Sequence, residues 1–379
     1  MDTDRRNVTL LIKPASGHCN MKCTYCFYVD EMQHRSFNAL NFMTEDTLYR
    51  ILEKTFQYAT ESVAIAFQGG EPTLVGLPFY EKLMVFVEEL NVNHVTVSFS
   101  LQTNGYRVNE EWIAFFKKHN FLIGISLDGR KKTHNKYRIS GTNGETFTPI
   151  MQCIDLMKKY DVPFNILTVI HKDIARNIKK TYEFFKKNEL YYQQYIECLE
   201  PLEQDDQTEN GEFYLTVADY EKFLIDLFDV WYEDFKSGFY VSVRYFDNVI
   251  GMYLKNPVES CAMVGFCGTY FVVEADGSAY PCDFYTLDEW HLGNLATDSV
   301  ETLHEKREEL QFIQQSLYVP EDCQVCKWFA LCRNGCRRNC EPTTEVSREK
   351  NRFCEAYYRF FEHSHLKFQE VARIVASRR

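Results

Sequence analysis

Short apolar runs alternate with amphipathic stretches over the first ~235 residues. The runs are VTLLIK (8–13), VAIAF (63–67), VTVSFS (95–100), FLIGIS (121–126), PFNILTVI (163–170) and YYQQYIE (191–197). They are rich in β-branched and aromatic residues and have the length of strands. Between them, apolar positions recur at helical spacing near 44–59, 78–90, 109–119, 146–159, 174–188 and 217–236. Thr44 and Asp173 precede two of these stretches and are predicted N-caps, because their side-chain oxygens accept from unpaired first-turn amides. Six β/α units predict an α/β fold with a parallel sheet. Six is too few for a closed eight-stranded barrel, so a partial (β/α)6 TIM-like barrel fits as well as a doubly wound sheet.

From about residue 240 the pattern changes. YVSVRYF and TYFVVEADGSAYPCDFY predict short strands, with Asp276-Gly277 as a hairpin turn. Cysteine-rich loops follow, then a helix over roughly 355–376 whose Tyr/Phe/Leu/Val stripe reads as core. The chain therefore divides at 239/240, into a core domain (1–239) and a cysteine-rich domain with a C-terminal helix (240–379). EQDDQTENGE (203–212) predicts an exposed acidic loop.

Composition narrows the function. A net charge of −12 without a long basic run argues against nucleic acid. No apolar stretch approaches the ~20 residues of a membrane span, and the N-terminus lacks a signal-peptide core, so a cytoplasmic protein is expected. Fourteen cysteines are then anomalous, because the cytosol keeps thiols reduced and a chain of 379 residues needs no staples. Three lie at 19–26 and nine between 261 and 354, a clustering that points to metal. Cys153 and Cys198 stand apart in apolar surroundings and read as core.

The polar motifs share one end of the sheet. CNMKCTYC follows the first strand, QGGEPT the second, QTNG the third and DG the fourth. The C-terminal ends of parallel strands are where α/β folds build sites. CNMKCTYC spaces Cys19, Cys23 and Cys26 as C-x3-C-x2-C. A structural zinc ion needs four ligands and no fourth is near. Three thiolates suit a four-iron cluster with one iron open to a small ligand.

This loop, with its aromatic residues around Cys26, resembles that of the radical SAM enzymes. The resemblance implies that S-adenosylmethionine binds the open iron and that one electron cleaves it to a 5′-deoxyadenosyl radical. Gly69, Gly70 and Glu71 resemble the family's amino-group-binding motif. Tyr25, Gln68, Ser126, Asp128 and Arg138 are implied as further cofactor contacts. From Cys267 the spacing is C-x9-G-x4-C to Cys282, then C-x2-C-x5-C-x3-C over Cys323, Cys326, Cys332 and Cys336, with Cys354 after a gap. This resembles the SPASM pattern of peptide-modifying radical SAM enzymes, with Cys261 as an added ligand. Zinc would also fit the C-x2-C-x5-C-x3-C portion alone. The spacing leaves open which cysteines share a cluster; the resemblance implies Cys261, Cys267, Cys282 and Cys336 for one [4Fe-4S] cluster and Cys323, Cys326, Cys332 and Cys354 for another, three clusters in all, with Cys340 left over.

LIKPASGHCNMKCTYCFY, AFQGGEPTL, SLQTNG, SVRYFD, VVEADGSAYPCDFY and CKWFALCRNGCRR together resemble anaerobic sulfatase-maturating enzymes, from Val8 to at least Cys354. The resemblance implies oxidation of a cysteine or serine in a sulfatase C/S-x-P/A-x-R segment to Cα-formylglycine. It also implies an unfolded or nascent sulfatase as partner and a flavodoxin- or ferredoxin-type electron donor. The deoxyadenosyl radical takes a Cβ hydrogen, after which a proton and an electron must leave. A carboxylate within hydrogen-bond reach can take that proton, and Asp283, bonded to the expected ligand Cys282, is the candidate base. A related SPASM maturase that crosslinks a small ribosomal peptide shares every cysteine; YPCDFY and the lack of an obvious leader-binding segment before the first strand weigh against it. A non-enzymatic iron–sulfur or zinc protein leaves the GGE motif and the open three-cysteine loop unexplained.

Overall fold

A computed structural model describes residues 6–36, 41–202, 212–344 and 347–378. The acidic segment 203–212 falls outside the described residues except for Glu212. The chain packs as two compact units, Met1–Ser126 with Asn135–Phe164 and Thr269–Gln311, and Leu127–His134 with Asn165–Gly268 and Phe312–Arg379. Neither coincides with a cut at 239/240.

In the first unit four strands lie parallel in sequence order: β1 (Asn7–Ile12), β2 (Ser62–Phe67), β3 (Thr96–Thr103) and β4 (Leu122–Ser126). Alternate residues of β1 and β2 are buried, with Val8, Leu10, Ile12, Val63, Ile65 and Phe67 facing inward. The helix Glu45–Tyr58 buries Leu48, Ile51, Leu52, Thr55 and Phe56 at i, i+3, i+4 spacing, and Thr44 caps it by accepting from Thr47 N at 3.1 Å.

The Asp276-Gly277 hairpin forms as expected. Gly277 has φ +90°, which a side chain would strain, and Asp276 Oδ1 accepts from Ser278 N at 2.9 Å. Its first strand, Phe271–Val273, lies parallel to β1, with Leu10 opposite Phe271 and Ile12 opposite Val273. Ser278–Tyr280 pairs antiparallel to it. Segments some 260 residues apart thus share one sheet, which carries Cys282 and Asp283 to the neighbourhood of β1.

In the second unit β5 (Phe164–Ile170) and β6 (Tyr192–Glu197) are parallel, and Ser242–Val243 extends them. Helix Val217–Lys236 starts with a capping box of Thr216 and Asp219. Its Phe223, Leu227, Phe228 and Trp231 enter one apolar core with Phe360, Phe361 and Phe368 of helix Cys354–Ser377. The C-terminal stripe is therefore core. Cys153 and Cys198, of the first and second unit respectively, are both buried.

Three local expectations are corrected. YVSVRYF keeps only Ser242–Val243 as strand and then becomes helix Arg244–Tyr253, because Phe246, Val249 and Ile250 bury a helical face. Asp173 is not an N-cap: His171 holds that position and Asp173 sits in the first turn, where its charge still favours the helix dipole. YPCDFY is strand only to Tyr280, so Asp283 lies in the turn beyond. Among the described residues no helix is long and apolar enough to cross a membrane.

Candidate active site

The first unit holds three of the four strand-end motifs, and Asp128-Gly129 lies in the second. The cysteine loop is pinned at three points. Met21–Cys23 forms a short strand antiparallel to Arg138–Ser140, which sets Arg138 opposite Cys23; the guanidinium lies 5.5 Å from the Tyr25 ring centre. Glu71 N donates to the His18 carbonyl at 2.8 Å. Asn104 of the QTNG segment donates to Asn20 Oδ1 at 2.7 Å, its Nδ2 3.8 Å from Cys19 Sγ. Burial pushes the Cys19 thiol up to about 12, against the Met21 amide that donates to it. A metal that binds such a thiol displaces its proton, and a set of three cysteines is a soft, iron–sulfur type of donor set.

The GGE glycines answer to close contacts. Gly70 has φ +50°, and a Cβ there would stand 2.2 Å from His18 O. Gly69 has φ +87°, and its Cβ would meet the Lys13 side chain at 2.5 Å. Glu71 is a buried anchor: Thr73 N, Thr73 Oγ1, Thr103 Oγ1 and Asn104 N all donate to it, at 2.7 to 3.1 Å. Burial raises its pKa in spite of those donors. Its carboxylate ties the β2 loop to the β3 loop. At the end of β4, Ser126 Oγ accepts from Gln102 Nε2 at 3.0 Å. Asp128 lies in the second unit, fully buried, and accepts from Val169 N at 3.1 Å.

Asp283 is 7% exposed, and both of its oxygens are engaged. Oδ1 is 2.7 Å from Lys13 Nζ, and Oδ2 accepts from Gln68 Nε2 at 2.7 Å. Lys13 ends the VTLLIK run with no exposed surface, its ammonium 3.5 Å from the Tyr28 ring centre. Burial pulls its pKa down, but Asp283, Tyr28 and Glu274 outweigh this, and the lysine stays charged. Around it Glu274 accepts from Ser16 Oγ at 2.9 Å, from Arg35 Nη1 at 3.0 Å and from Tyr28 OH. A buried ion pair broken on one side leaves an uncompensated charge, so Lys13→Met is expected to cost about 3–5 kcal/mol. Adding Asp283→Asn removes that charge and should recover most of the loss, read from urea midpoints of the single and double variants.

The second unit holds seven of the expected cluster cysteines in two groups. Cys323, Cys326, Cys332 and Cys354 line a cavity of about 430 Å³ with Trp328, Phe329, Lys350 and Tyr357. Burial pushes Cys323 up to about 11 and Cys332 up to about 12, each also raised by charge on Cys354 and Cys326. Cys261, Cys267 and Cys336 form the other group; burial first, then Cys267 and Cys261, raise Cys336. Cys332 and Cys336 are only four apart yet face different groups. Arg333, Asn334 and Gly335 between them are all left-handed, with φ of +52°, +65° and +65°, so no helical turn aligns the two sulfurs. Both all-cysteine groups suit iron–sulfur clusters in donor chemistry. Cys340 is buried, its thiol donating to Asn334 O at 3.1 Å. Cys282 belongs to the first unit.

Lys13 and Asn104 were not singled out from sequence, although Lys13 left a signal, a cation closing an apolar strand, and Asn104 lies in the QTNG motif.

Comparison with known proteins agrees with this chemistry. Residues 14–185 match the radical SAM superfamily and residues 261–327 the iron–sulfur cluster-binding domain SPASM. A cysteine-type anaerobic sulfatase-maturating enzyme of Clostridium novyi is 44% identical over 373 residues, 98% of this chain and 99% of the relative. A serine-type counterpart from Bacteroides thetaiotaomicron is 27% identical, over 93% of this chain and 88% of the relative. The solved structure of native anSMEcpe with bound AdoMet and Cp18Cys peptide matches with a TM-score of 0.92 and 41% identity, over 98% of this chain and 100% of that one.

Proposed function

Because this chain belongs to the anaerobic sulfatase-maturating enzymes of the radical SAM superfamily, we propose that it oxidises a cysteine or serine in a sulfatase C/S-x-P/A-x-R segment to Cα-formylglycine. Cysteine is the favoured target, since the cysteine-type relative is 44% identical and the serine-type relative 27%.

When bound, S-adenosylmethionine and the cluster at Cys19, Cys23 and Cys26 would supply a hydrogen-abstracting 5′-deoxyadenosyl radical, and clusters at the eight other expected ligand cysteines would supply an electron sink. The residues proposed to hold S-adenosylmethionine are Tyr25, Gln68, Gly69, Gly70, Glu71, Ser126, Asp128 and Arg138. Asp283 takes the proton from the substrate thiol or hydroxyl. One hydrogen atom leaves Cβ, one proton goes to Asp283 and one electron to the sink, a two-electron oxidation to the thioaldehyde or aldehyde. Water converts a thioaldehyde to the aldehyde with release of hydrogen sulfide.

The observation that carries this reading is the Gln68–Asp283 hydrogen bond of 2.7 Å. Gln68 directly precedes the GGE motif, whose Glu71 amide grips the cysteine loop. The carboxylate is thereby joined to the strand ends that carry the first three cysteines. We assign radical chemistry to residues 1–239 and auxiliary-cluster binding to 240–379, with the ligand sets Cys261, Cys267, Cys282, Cys336 and Cys323, Cys326, Cys332, Cys354. An unfolded or nascent sulfatase as client, a flavodoxin- or ferredoxin-type donor and a cytoplasmic location complete the proposal.

The test is anaerobic incubation of the reconstituted protein with S-adenosylmethionine, dithionite and a peptide containing C-x-P-x-R or, separately, S-x-P-x-R. 5′-Deoxyadenosine, methionine and a hydrazine-reactive peptide are expected. Deoxyadenosine without an aldehyde on either the cysteine or the serine peptide would remove the sulfatase assignment and leave radical SAM chemistry standing.

A further inference from the structure

Tyr270 precedes the strand Phe271–Val273, and its single hydroxyl meets two neighbours. It donates to Cys282 Sγ at 3.3 Å and accepts from Asp283 N at 3.2 Å. One phenol has one proton and free lone pairs, so both bonds form together. The residue is fixed from behind. Its carbonyl accepts from Arg307 Nη2 at 2.8 Å, and that buried guanidinium lies 4.1 Å from the Phe271 ring centre. Strand pairing of Phe271 with Leu10 of β1 fixes the backbone beyond it.

A hydrogen bond to a ligating sulfur withdraws electron density and raises a cluster's reduction potential. The same hydroxyl orients the peptide unit between Cys282 and Asp283. We propose that Tyr270 is a positioning residue that couples the two departures of the reaction: it poises the Cys282-ligated cluster to accept the electron and aims Asp283 at the proton. The inference rests on the reading of Cys282 as a cluster ligand and Asp283 as the base. It also makes the cluster that includes Cys282 the first electron acceptor.

The test compares reconstituted holoenzyme with Tyr270→Phe, which removes only the hydroxyl. Redox titration followed by electron paramagnetic resonance should show one auxiliary midpoint moved to lower potential, with iron content unchanged. In peptide oxidation kcat should fall by roughly three- to tenfold, the worth of one hydrogen bond, while KM for the peptide holds. Midpoints equal to wild type in an iron-replete variant overturn the proposal. Should the variant lose iron, the wild-type enzyme decides: coupling of a solvent-exchangeable proton to the reduced auxiliary cluster supports the bond, and its absence overturns it. Cys282→Ala separates this from the parent reading. Auxiliary-cluster midpoints and paramagnetic resonance signals all equal to wild type in that variant would refute Cys282 as a ligand, whatever Tyr270→Phe shows.

Discussion

Asp283→Asn is expected to keep all three clusters and cleavage of S-adenosylmethionine yet lose roughly 10²–10⁴-fold in peptide oxidation, the range for removal of a general base. Its surroundings make the loss a chemical one. Lys13 forms an ion pair with one oxygen of the carboxylate, and Gln68 donates to the other. An asparagine keeps one acceptor oxygen for Lys13, and Gln68 can turn its amide to offer Oε1 to the new NH2 group. The variant keeps these polar contacts, and Glu274 and Glu31 still oppose the charge of Lys13, so some stability is lost with the ion pair but the fold is kept while the base is gone. The measurement is the ratio of 5′-deoxyadenosine to aldehyde, which should rise steeply as cleavage uncouples from product. Wild-type oxidation rates would eliminate Asp283 as the base.

Replacing Cys19, Cys23 and Cys26 together by Ala is expected to abolish deoxyadenosine formation and remove one cluster's share of iron, leaving two. The remaining expected ligands lie in other parts of the chain. Seven of them are grouped in the second unit, around a core of Phe228, Trp231, Phe360 and Phe368 that owes nothing to the first loop. The fold should therefore survive, because the loop is held by hydrogen bonds from Glu71 and Asn104 and by the Cys23–Arg138 pairing as well as by any metal. Iron analysis and deoxyadenosine yield together check this. Undiminished cleavage would refute the first-cluster assignment.

These expectations show what could be read along the chain. The six long strands and the helices between them follow from hydrophobic period, because each buries a continuous face. The first cysteine group stands out by its spacing, C-x3-C-x2-C within one loop, whereas the partition of the later cysteines comes from the resemblance and not from spacing. What could not be read depends on contacts between distant segments. That Phe271–Val273 pairs with β1 has no local signature, so the hairpin looks like part of a separate C-terminal piece. Lys13 looks like an ordinary strand end until Asp283 is brought to it. Gly69 suggests a cofactor motif, yet the atoms nearest to an added Cβ are those of Lys13. Tyr270 gave no signal at all, since a tyrosine before a strand is commonplace. YVSVRYF misled for the opposite reason: its alternation suits a strand, but burial of Phe246, Val249 and Ile250 on one helical face prevails.

A radical made at the first three cysteines that takes hydrogen from the Cβ of a sulfatase residue carries that hydrogen into 5′-deoxyadenosine. A C-x-P-x-R peptide whose cysteine carries deuterium at Cβ reads this transfer. Anaerobic turnover should yield 5′-deoxyadenosine containing one deuterium, in step with formation of an aldehyde on the peptide. Deuterium-free 5′-deoxyadenosine accompanying that aldehyde would contradict the account.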